Sequence, residues 1–248
     1  DAGRKSDRGV GLILASLGPW DRAGSGGGLL CRAATTLQPV STTPWRPMEW
    51  TVLLMMLMLG GLWLKTRDQA RRVALLGRFL QQHQIEKLME ELTQGYLRAL
   101  GESDPERQAP IWNRLDAREL ELADQFSRFA ADFAQVPEAE ARVSTLPLAL
   151  PFASRLFPAA TFDLRKALAI HAQAITDAVQ NRGGLAPRDK AYTLSAELFL
   201  MQHTCHWYCR SRAVASARLL ARHQTTYAQV LAAVAPSTRQ AYRELVGT

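Results

Sequence analysis

The feature that most constrains this chain is an uncharged run of fifteen residues from Trp50 to Leu64, WTVLLMMLMLGGLWL. An α-helix rises about 1.5 Å per residue, so the run extends about 22 Å, whereas a bilayer core is about 30 Å thick. Local thinning of the bilayer and the long side chains of its basic flank can make up the difference. The run therefore predicts a membrane-anchoring helix over residues 48–65. The residues assigned to this anchor are Trp50, Leu53, Leu54, Leu57, Leu59, Leu62, Trp63, Lys65 and Arg67.

Three other structures compete with the anchor for this run. A helix buried on all sides in a protein core is one of them, because the run has no polar face. A cleavable signal peptide is the second, but the residues that follow, LKTRDQARR, offer no small-x-small cleavage site. An amphipathic surface helix, the third, would need a polar face. The membrane anchor is the interpretation that agrees with both the composition and the flanks.

The basic residues after the run predict the orientation of the anchor. Basic flanks of membrane helices stay on the cytoplasmic side. We therefore expect a single-pass protein of a bacterial inner membrane, with its N-terminus outside and residues 66–248 in the cytosol. The three cysteines form no disulfide framework, which agrees with a reducing compartment. The basic residues concerned are Lys65, Arg67, Arg71, Arg72 and Arg78.

Residues 1–47 differ in composition from the rest of the chain. They contain a glycine-rich stretch at Gly24–Gly28 and a Ser/Thr/Pro cluster from Pro39 to Pro47, which are typical of flexible chain. Met48 directly precedes the apolar run, where a start residue would be expected. We interpret residues 1–47 as a flexible or non-native segment. A rival interpretation is a signal peptide, because a basic start precedes the apolar residues Val10–Leu17.

Apolar periodicity after the anchor predicts an all-α bundle of about five helices, with long heptad-like helices. The helical spacing covers residues 66–100, 103–134, 161–180 and 187–235, and no segment alternates as a strand does. The short link between the first two segments predicts an antiparallel hairpin. Capping residues are expected at Ser103, Thr161 and Ser237.

Two irregularities are expected within this pattern. The apolar phase shifts once near His83, and a second shift at 210–212 predicts a bend, a change of packing partner or a break at 210–212. Residues 136–160 contain four prolines among apolar side chains. They predict a buried strap across the core, or else a segment that binds a partner or skims the membrane.

Charge is distributed unevenly along the main domain. Residues 101–147 carry five arginines against ten acids, and residues 187–248 carry eight basic residues against three acids. Opposite charges predict that these helices pair within one bundle. The net charge of +7 is compatible with nucleic acid, but the basic residues lack interleaved aromatics and a recognition motif. We therefore expect the bilayer and a protein partner, or a second copy of the chain, as the contacts.

One cluster has residue types that bind metals. On a helix, Cys205 and Cys209 lie about 40° apart and His206 lies within the same arc, so zinc could bind if another helix supplied a ligand. The spacing matches no zinc motif, however, and Cys205 belongs to an apolar stripe. A core role is therefore favoured, with a metal site or a reactive thiol as alternatives. The metal candidates are His203, Cys205, His206 and Cys209.

Motifs for known chemistries are missing from the sequence. No phosphate loop, dinucleotide fingerprint, zinc-protease motif or nucleophile elbow occurs, nor does the E-x-x-H of carboxylate di-iron bundles. No cofactor is predicted, and a non-enzymatic role is favoured over an enzyme. The leading hypothesis is a membrane-anchored scaffold or adaptor with a cytosolic interaction domain. The alternative is a metal- or thiol-dependent sensor or enzyme that uses the cluster at 203–209.

Overall fold

A computed structural model describes residues 46–146 and 152–247, and helices dominate this part of the chain. The helices are α1 Arg46–Leu80, α2 Ile85–Gly101, α3 Pro105–Phe133, α4 Glu138–Ala141, α5 Ala153–Leu156, α6 Leu164–Gln180, α7 Pro187–Cys209, α8 Arg212–His223, α9 Tyr227–Ala233 and α10 Pro236–Val246. Two short strands, β1 Arg142–Ser144 and β2 Thr161–Asp163, complete the fold, with a 3-10 turn at Pro158–Ala160. The predicted all-α helical bundle is confirmed, but the described residues form ten helices, two of them of four residues, where about five were expected. Nearly all of the predicted flexible segment 1–47 lies outside the described residues.

The apolar run and the segment that packs on the bundle form one continuous helix, α1. It is 35 residues long, or about 52 Å, and its C-terminal half packs against α7 and α3. The helix predicted over 66–100 is in fact two helices, because the chain turns at residues 81–84. Tight i→i−3 bonds end α1, and the backbone N–H of Gln84 donates to Gln125 Oε1 at 2.6 Å. The phase shift near His83 therefore marks a break.

Helices α2 and α3 pack against each other, joined by the short link predicted from the sequence. The capping residue of α3 is Asp104, whose side chain accepts from the backbone N–H of Glu106 at 3.0 Å, so the prediction of Ser103 was wrong. Gly95 of α2 faces Leu115 of α3. A Cβ added there would lie 2.2 Å from Leu115 Cδ2, so this position tolerates no side chain without repacking.

The core lies where α3, α6 and α7 meet. Phe126, Phe129 and Phe133 follow one face of α3 and are fully buried. The ring of Phe133 packs edge-on against Tyr208 of α7, with centroids 6.3 Å apart. Burying side chains of this size stabilises the domain by about 1.5–3 kcal/mol each.

The strap between α3 and α6 contains a two-stranded ribbon that the sequence did not predict. Strands β1 and β2 pair antiparallel, with Val143 opposite Phe162, and both residues are buried. Thr161 lies in β2, so the predicted cap there was wrong; Asp163 caps α6 instead and accepts from the N–H of Arg165 at 2.9 Å. The indole of Trp207 donates to the carbonyl of Ser144 at 2.8 Å, which fixes the ribbon to α7.

The C-terminal third folds as successive short helices around α7. The break predicted at 210–212 is confirmed, because α7 ends at Cys209 and α8 begins at Arg212. A second break was not predicted: Gln224 adopts a left-handed conformation with φ of 52°, and a capping box then starts α9. Helix α10 begins with Pro236 at its first position, so the predicted cap at Ser237 was wrong.

Candidate functional site

The apolar run forms a helix whose side chains have no cover from the described part of the protein. Twelve large apolar side chains of this segment are between 37% and 75% exposed. A Cβ added at Gly60 or Gly61 would meet no atom within 4 Å. Exposed apolar surface of this density marks an interaction site. The twelve residues are Trp50, Val52, Leu53, Leu54, Met55, Met56, Leu57, Met58, Leu59, Leu62, Trp63 and Leu64.

The predicted membrane-spanning helix over 48–65 forms part of α1. Within residues 46–146 and 152–247, no helix has the combination of length and apolar character that crossing a membrane requires. The uncharged run is bounded by Glu49 and Lys65, which limits it to fifteen residues. The spanning anchor therefore stays a prediction.

Arg72 fixes the C-terminal half of α1 to the bundle. Its Nε lies 3.2 Å from Asp68 Oδ2, and its Nη1 donates to the carbonyls of Arg142 and Tyr208 at 3.1 and 3.4 Å. Its Nη2 donates to Ser154 Oγ at 3.4 Å, and the guanidinium lies 5.3 Å from the Tyr208 ring. One side chain thus joins α1 to α7 and to both β1 and α5 of the strap, about 12 Å along the helix from the last apolar residue.

Two further contacts order the basic residues that follow the apolar run. The guanidinium of Arg67 lies 5.2 Å from the ring of Trp63, so these two predicted anchor residues contact each other. Arg210, which follows α7, donates to Gln69 Oε1 at 2.6 Å. The fold therefore places a basic residue from the far end of the sequence beside the basic flank of the run.

The predicted metal candidates all lie at the C-terminal end of α7, but they face different partners. His203 is buried, and its Nε2 lies 3.0 Å from Ser216 Oγ. Burial, followed by the charge of Arg212, lowers the pKa of His203 to about 3, so the ring is neutral at pH 7. The Sγ of Cys205 lies 3.9 Å from Met201 Sδ.

No group of three or more His, Cys, Asp or Glu side chains in the described part of the chain could hold a metal ion. His203, Cys205, His206 and Cys209 share a helix end without converging on one point. The metal site therefore stays a prediction with no supporting geometry.

Both cysteines of α7 lie in an environment that disfavours reactive thiolate. Cys205 and Cys209 are buried and form no disulfide. Burial raises the pKa of Cys209 to about 12 and raises the pKa of Cys205 as well. A thiol with these properties is inert at pH 7.

We expect the native protein carrying Cys31→Ser to react with a water-soluble thiol reagent about a hundredfold more slowly than the same protein unfolded in denaturant. Burial and the raised pKa both lower the rate. The control is Tyr192→Cys in the same background, because Tyr192 is exposed and should report an unhindered thiol. Rapid labelling of Cys209 in the folded protein would restore the thiol-sensor hypothesis.

Sequence reasoning missed a buried ion pair between α3 and α7. Glu119 is 2% exposed, and its Oε2 lies 2.6 Å from Lys190 Nζ. The hydroxyl of Tyr96 donates to Glu119 Oε1 at 2.6 Å, and Lys190 also contacts Asp116 at 2.8 Å. This pair joins the acidic segment 101–147 to the basic segment 187–248, as their opposite charges predicted.

A second buried acid, Glu197 of α7, was also missed. It is fully buried, and its Oε1 accepts from the backbone N–H of Ala235, where α10 begins. Burial raises the pKa of Glu197 to about 7, against the opposing effects of the hydrogen bonds from Ala235 and Thr238. This carboxyl therefore titrates near neutral pH.

A third buried polar contact connects α6, α7 and α10. Thr204 Oγ1 lies 3.0 Å from His171 Nε2 and 2.9 Å from the hydroxyl of Tyr242. His171 has no exposed surface, and burial lowers its pKa to about 3. These groups specify how the C-terminal helix docks, because each would be costly to bury without its partner.

Comparisons with protein-family models, with curated proteins and with solved structures find no match to this chain.

Proposed function

We propose that this protein is a membrane-anchored helical scaffold, in which Trp50–Leu64 inserts into a lipid bilayer and the following domain binds a protein partner beside it. The observation that carries the proposal is the exposure of twelve large apolar side chains in one uncharged helical segment. Burying a large apolar side chain is worth about 1.5–3 kcal/mol. At a mean exposure of about 60%, these side chains would together contribute about 11–22 kcal/mol on burial, which is comparable with the 5–15 kcal/mol that typically stabilises a whole domain. Lipid is a solvent that covers every face of such a helix at once.

The flanks of the apolar run support a defined placement in the membrane. Tryptophans near both ends suit the two interfaces, and the basic residues that follow favour the cytosolic side. We propose an inner-membrane location with the N-terminus outside. The apolar run is short, so it spans the bilayer where the bilayer is locally thinned. The side chains of Lys65 and Arg67 then extend toward the interface.

The scaffold role is supported by the way α1 joins the bundle. The apolar segment and the docked half of α1 form one continuous helix, and Arg72 holds that helix to α7 and the strap. The domain is therefore held at a set height above the bilayer. Exposed Leu97, Leu100 and Leu120 on α2 and α3 provide apolar surface for a protein partner. Among the residues that the structure describes, no contact favours the metal- or thiol-dependent alternative.

We expect the full-length protein to remain in the membrane pellet after alkaline carbonate washing. The variant Leu54→Asp/Leu57→Asp should move most of it to the supernatant, because an acid at the centre of a membrane helix costs about 2.5–3.5 kcal/mol. The matched control is Leu97→Asp, since Leu97 is as exposed as Leu57 but lies on α2. Release of the unmodified protein by carbonate would contradict the anchor.

Thiol labelling in the same membranes tests on which side of the bilayer each end of the protein lies. In the Cys31→Ser background, a membrane-impermeant thiol reagent applied from outside should label Trp50→Cys, whereas Tyr192→Cys should be labelled only after lysis. The reverse pattern would show that the main domain faces outward.

A further inference from the structure

A groove of about 470 Å³ lies between the C-terminal half of α1 and the residue that follows α7. Two arginines line it at different distances from the apolar run. Arg210 lies beside Gln69, at the end of the groove nearer the run, whereas Arg78 lies nine residues further along α1. Small side chains, among them Ala70 and Ala74, form the surface between them. The cationic character of the groove favours an anion as its ligand.

The two arginines of the groove differ in their distance from the bilayer. In the proposed placement Leu64 lies at the edge of the hydrocarbon core, and the headgroup layer beyond that edge is about 5–7 Å thick. Gln69 lies about 7.5 Å past Leu64 along α1, and Arg210 donates to Gln69 Oε1 at 2.6 Å, so its guanidinium lies at the level of the headgroups. Arg78 lies about 21 Å past Leu64, which is beyond them. Arg210 is therefore the groove cation within reach of a lipid phosphate.

Arg67 supplies a second cation at the same level, on the opposite side of the groove. At 3.6 residues per turn, Arg67 lies within about 20° of Arg78 around α1, and Arg78 lines the groove. By the same geometry Arg67 lies about 160° from Gln69, which contacts Arg210. The guanidinium of Arg67 lies 5.2 Å from the ring of Trp63, one turn nearer the membrane. The membrane-proximal end of the groove thus opens between Arg67 and Arg210.

The positive charge around Arg210 extends over a long stretch of the chain. Residues 198–243 contain no Asp or Glu but include six arginines. Burial, followed by the charge of Arg210, lowers the pKa of Arg218, so these two guanidinium groups are close enough to repel each other. On α1, the acid nearest to Gln69 is Asp68, which is paired with Arg72 at 3.2 Å. A bound anion would reduce the repulsion between the arginines.

We propose that the membrane-proximal end of the groove binds the headgroup of an anionic phospholipid, with the phosphate between Arg67 and Arg210 and the acyl chains beside the apolar run. This inference rests on the proposed membrane anchoring, which brings the groove to the headgroup layer. Arginine binds phosphate through two N–H groups at once, which suits it to this contact. Both arginines lie at the depth where lipid phosphate is abundant, so a lipid is favoured over an acidic segment of a protein. A net negative headgroup is favoured because a zwitterionic one carries its own cation.

Native mass spectrometry of the full-length protein in a nonionic detergent tests the lipid site. The protein is given equal amounts of phosphatidylglycerol and phosphatidylcholine with the same acyl chains, and the ratio of the two bound lipids is measured. Arg210→Gln should lower the preference for phosphatidylglycerol about fivefold, which is the typical contribution of one basic residue beside an anionic membrane surface. Arg67→Gln should have an effect of similar size, and it leaves the contact between Arg210 and Gln69 in place. Arg210→Lys should keep most of the preference, because the charge remains.

Two exposed arginines provide matched controls, since each substitution removes one positive charge as Arg210→Gln does. Arg78→Gln changes the same groove outside the headgroup layer. Arg188→Gln changes the opposite end of α7, about 30 Å along that helix from Arg210. Neither should alter the lipid preference. Thermal unfolding followed by far-UV circular dichroism checks that each variant is folded, and Arg67→Gln decides the result if Arg210→Gln is not.

The outcomes separate the lipid site from the anchor. An unchanged preference in Arg210→Gln and Arg67→Gln, or an equal loss in the control variants, would overturn the lipid site, while retention in the carbonate pellet would leave the anchor intact. Displacement of the bound lipid by excess inorganic phosphate would also overturn it, because the groove would then bind a free anion. Release of the unmodified protein by carbonate would overturn both proposals. The expected result is a loss of preference confined to Arg210→Gln and Arg67→Gln, with the protein in the pellet.

Discussion

Lys190→Met should lower the free energy of unfolding of the helical domain by about 3–5 kcal/mol, because it leaves Glu119 as a buried charge without its partner. Glu119 is 2% exposed and lies 2.6 Å from Lys190 Nζ. The measurement is urea-induced unfolding of the full-length protein in detergent, followed by far-UV circular dichroism.

Replacing Lys190, Glu119 and Tyr96 together shows whether the unpaired charge of Glu119 causes the loss of stability. The triple variant Lys190→Met/Glu119→Leu/Tyr96→Phe should recover most of the lost stability, since a buried ion pair is often no better than well-packed apolar side chains. The control is Lys87→Met, which breaks an exposed pair with Glu91 and should change stability by less than about 1 kcal/mol. A small effect of Lys190→Met would mean that Glu119 takes up a proton, or that water reaches the carboxylate, once the ammonium is removed.

Local periodicity predicted the helices well because apolar spacing reports directly which face of a helix is buried. The phase shifts near His83 and at 210–212 correspond to real breaks, since a change of phase means that the chain must turn to keep its apolar face inward. The break at Gln224 has no such signal, because it is made by a left-handed residue and a capping box. The ribbon of β1 and β2 was missed because three residues are too few to show alternation.

The positions of Glu119 and Glu197 within apolar stripes could have indicated from the sequence that both acids are buried. Glu119 lies four residues after Leu115 and three before Leu122, on the buried stripe of α3. Glu197 lies three residues after Leu194 and four before Met201, on the buried stripe of α7, so each acid interrupts an apolar face. An acid in such a stripe must find a partner or change its pKa.

The contacts of Arg72 could not have been predicted in this way. Its partners Arg142, Ser154 and Tyr208 lie 70 or more residues away in the sequence. Nothing local distinguishes Arg72 from the other basic residues that follow the apolar run. Only the tertiary fold shows that this one docks α1 while its neighbours stay near the surface.

The titration of Glu197 should make the stability of the domain depend on pH between 4.5 and 7. The carboxyl accepts from the first backbone amide of the turn into α10, but burial raises its pKa from 4.5 to about 7. In this range the folded protein holds a proton that the unfolded chain has released. The stability contributed by the neutral carboxyl is therefore complete below pH 4.5 and is lost as the pH rises through 7. A shift of this size corresponds to about 3 kcal/mol.

Glu197→Gln should remove this loss, because the amide oxygen can still accept from Ala235 while no charge develops in the core. The quantity to measure is the difference in unfolding free energy between the unmodified protein and the variant, from denaturant titrations at pH 4.5, 6 and 7.5. Between pH 4.5 and 7.5, the unfolding free energy of the variant should rise by about 3 kcal/mol relative to that of the unmodified protein. Glu244→Gln is the matched control on α10, since Glu244 is exposed and should give parallel pH profiles. If the Glu197→Gln profile also runs parallel to that of the unmodified protein, Glu197 is charged in the folded state across this range, and the hydrogen bonds from Ala235 and Thr238 outweigh its burial.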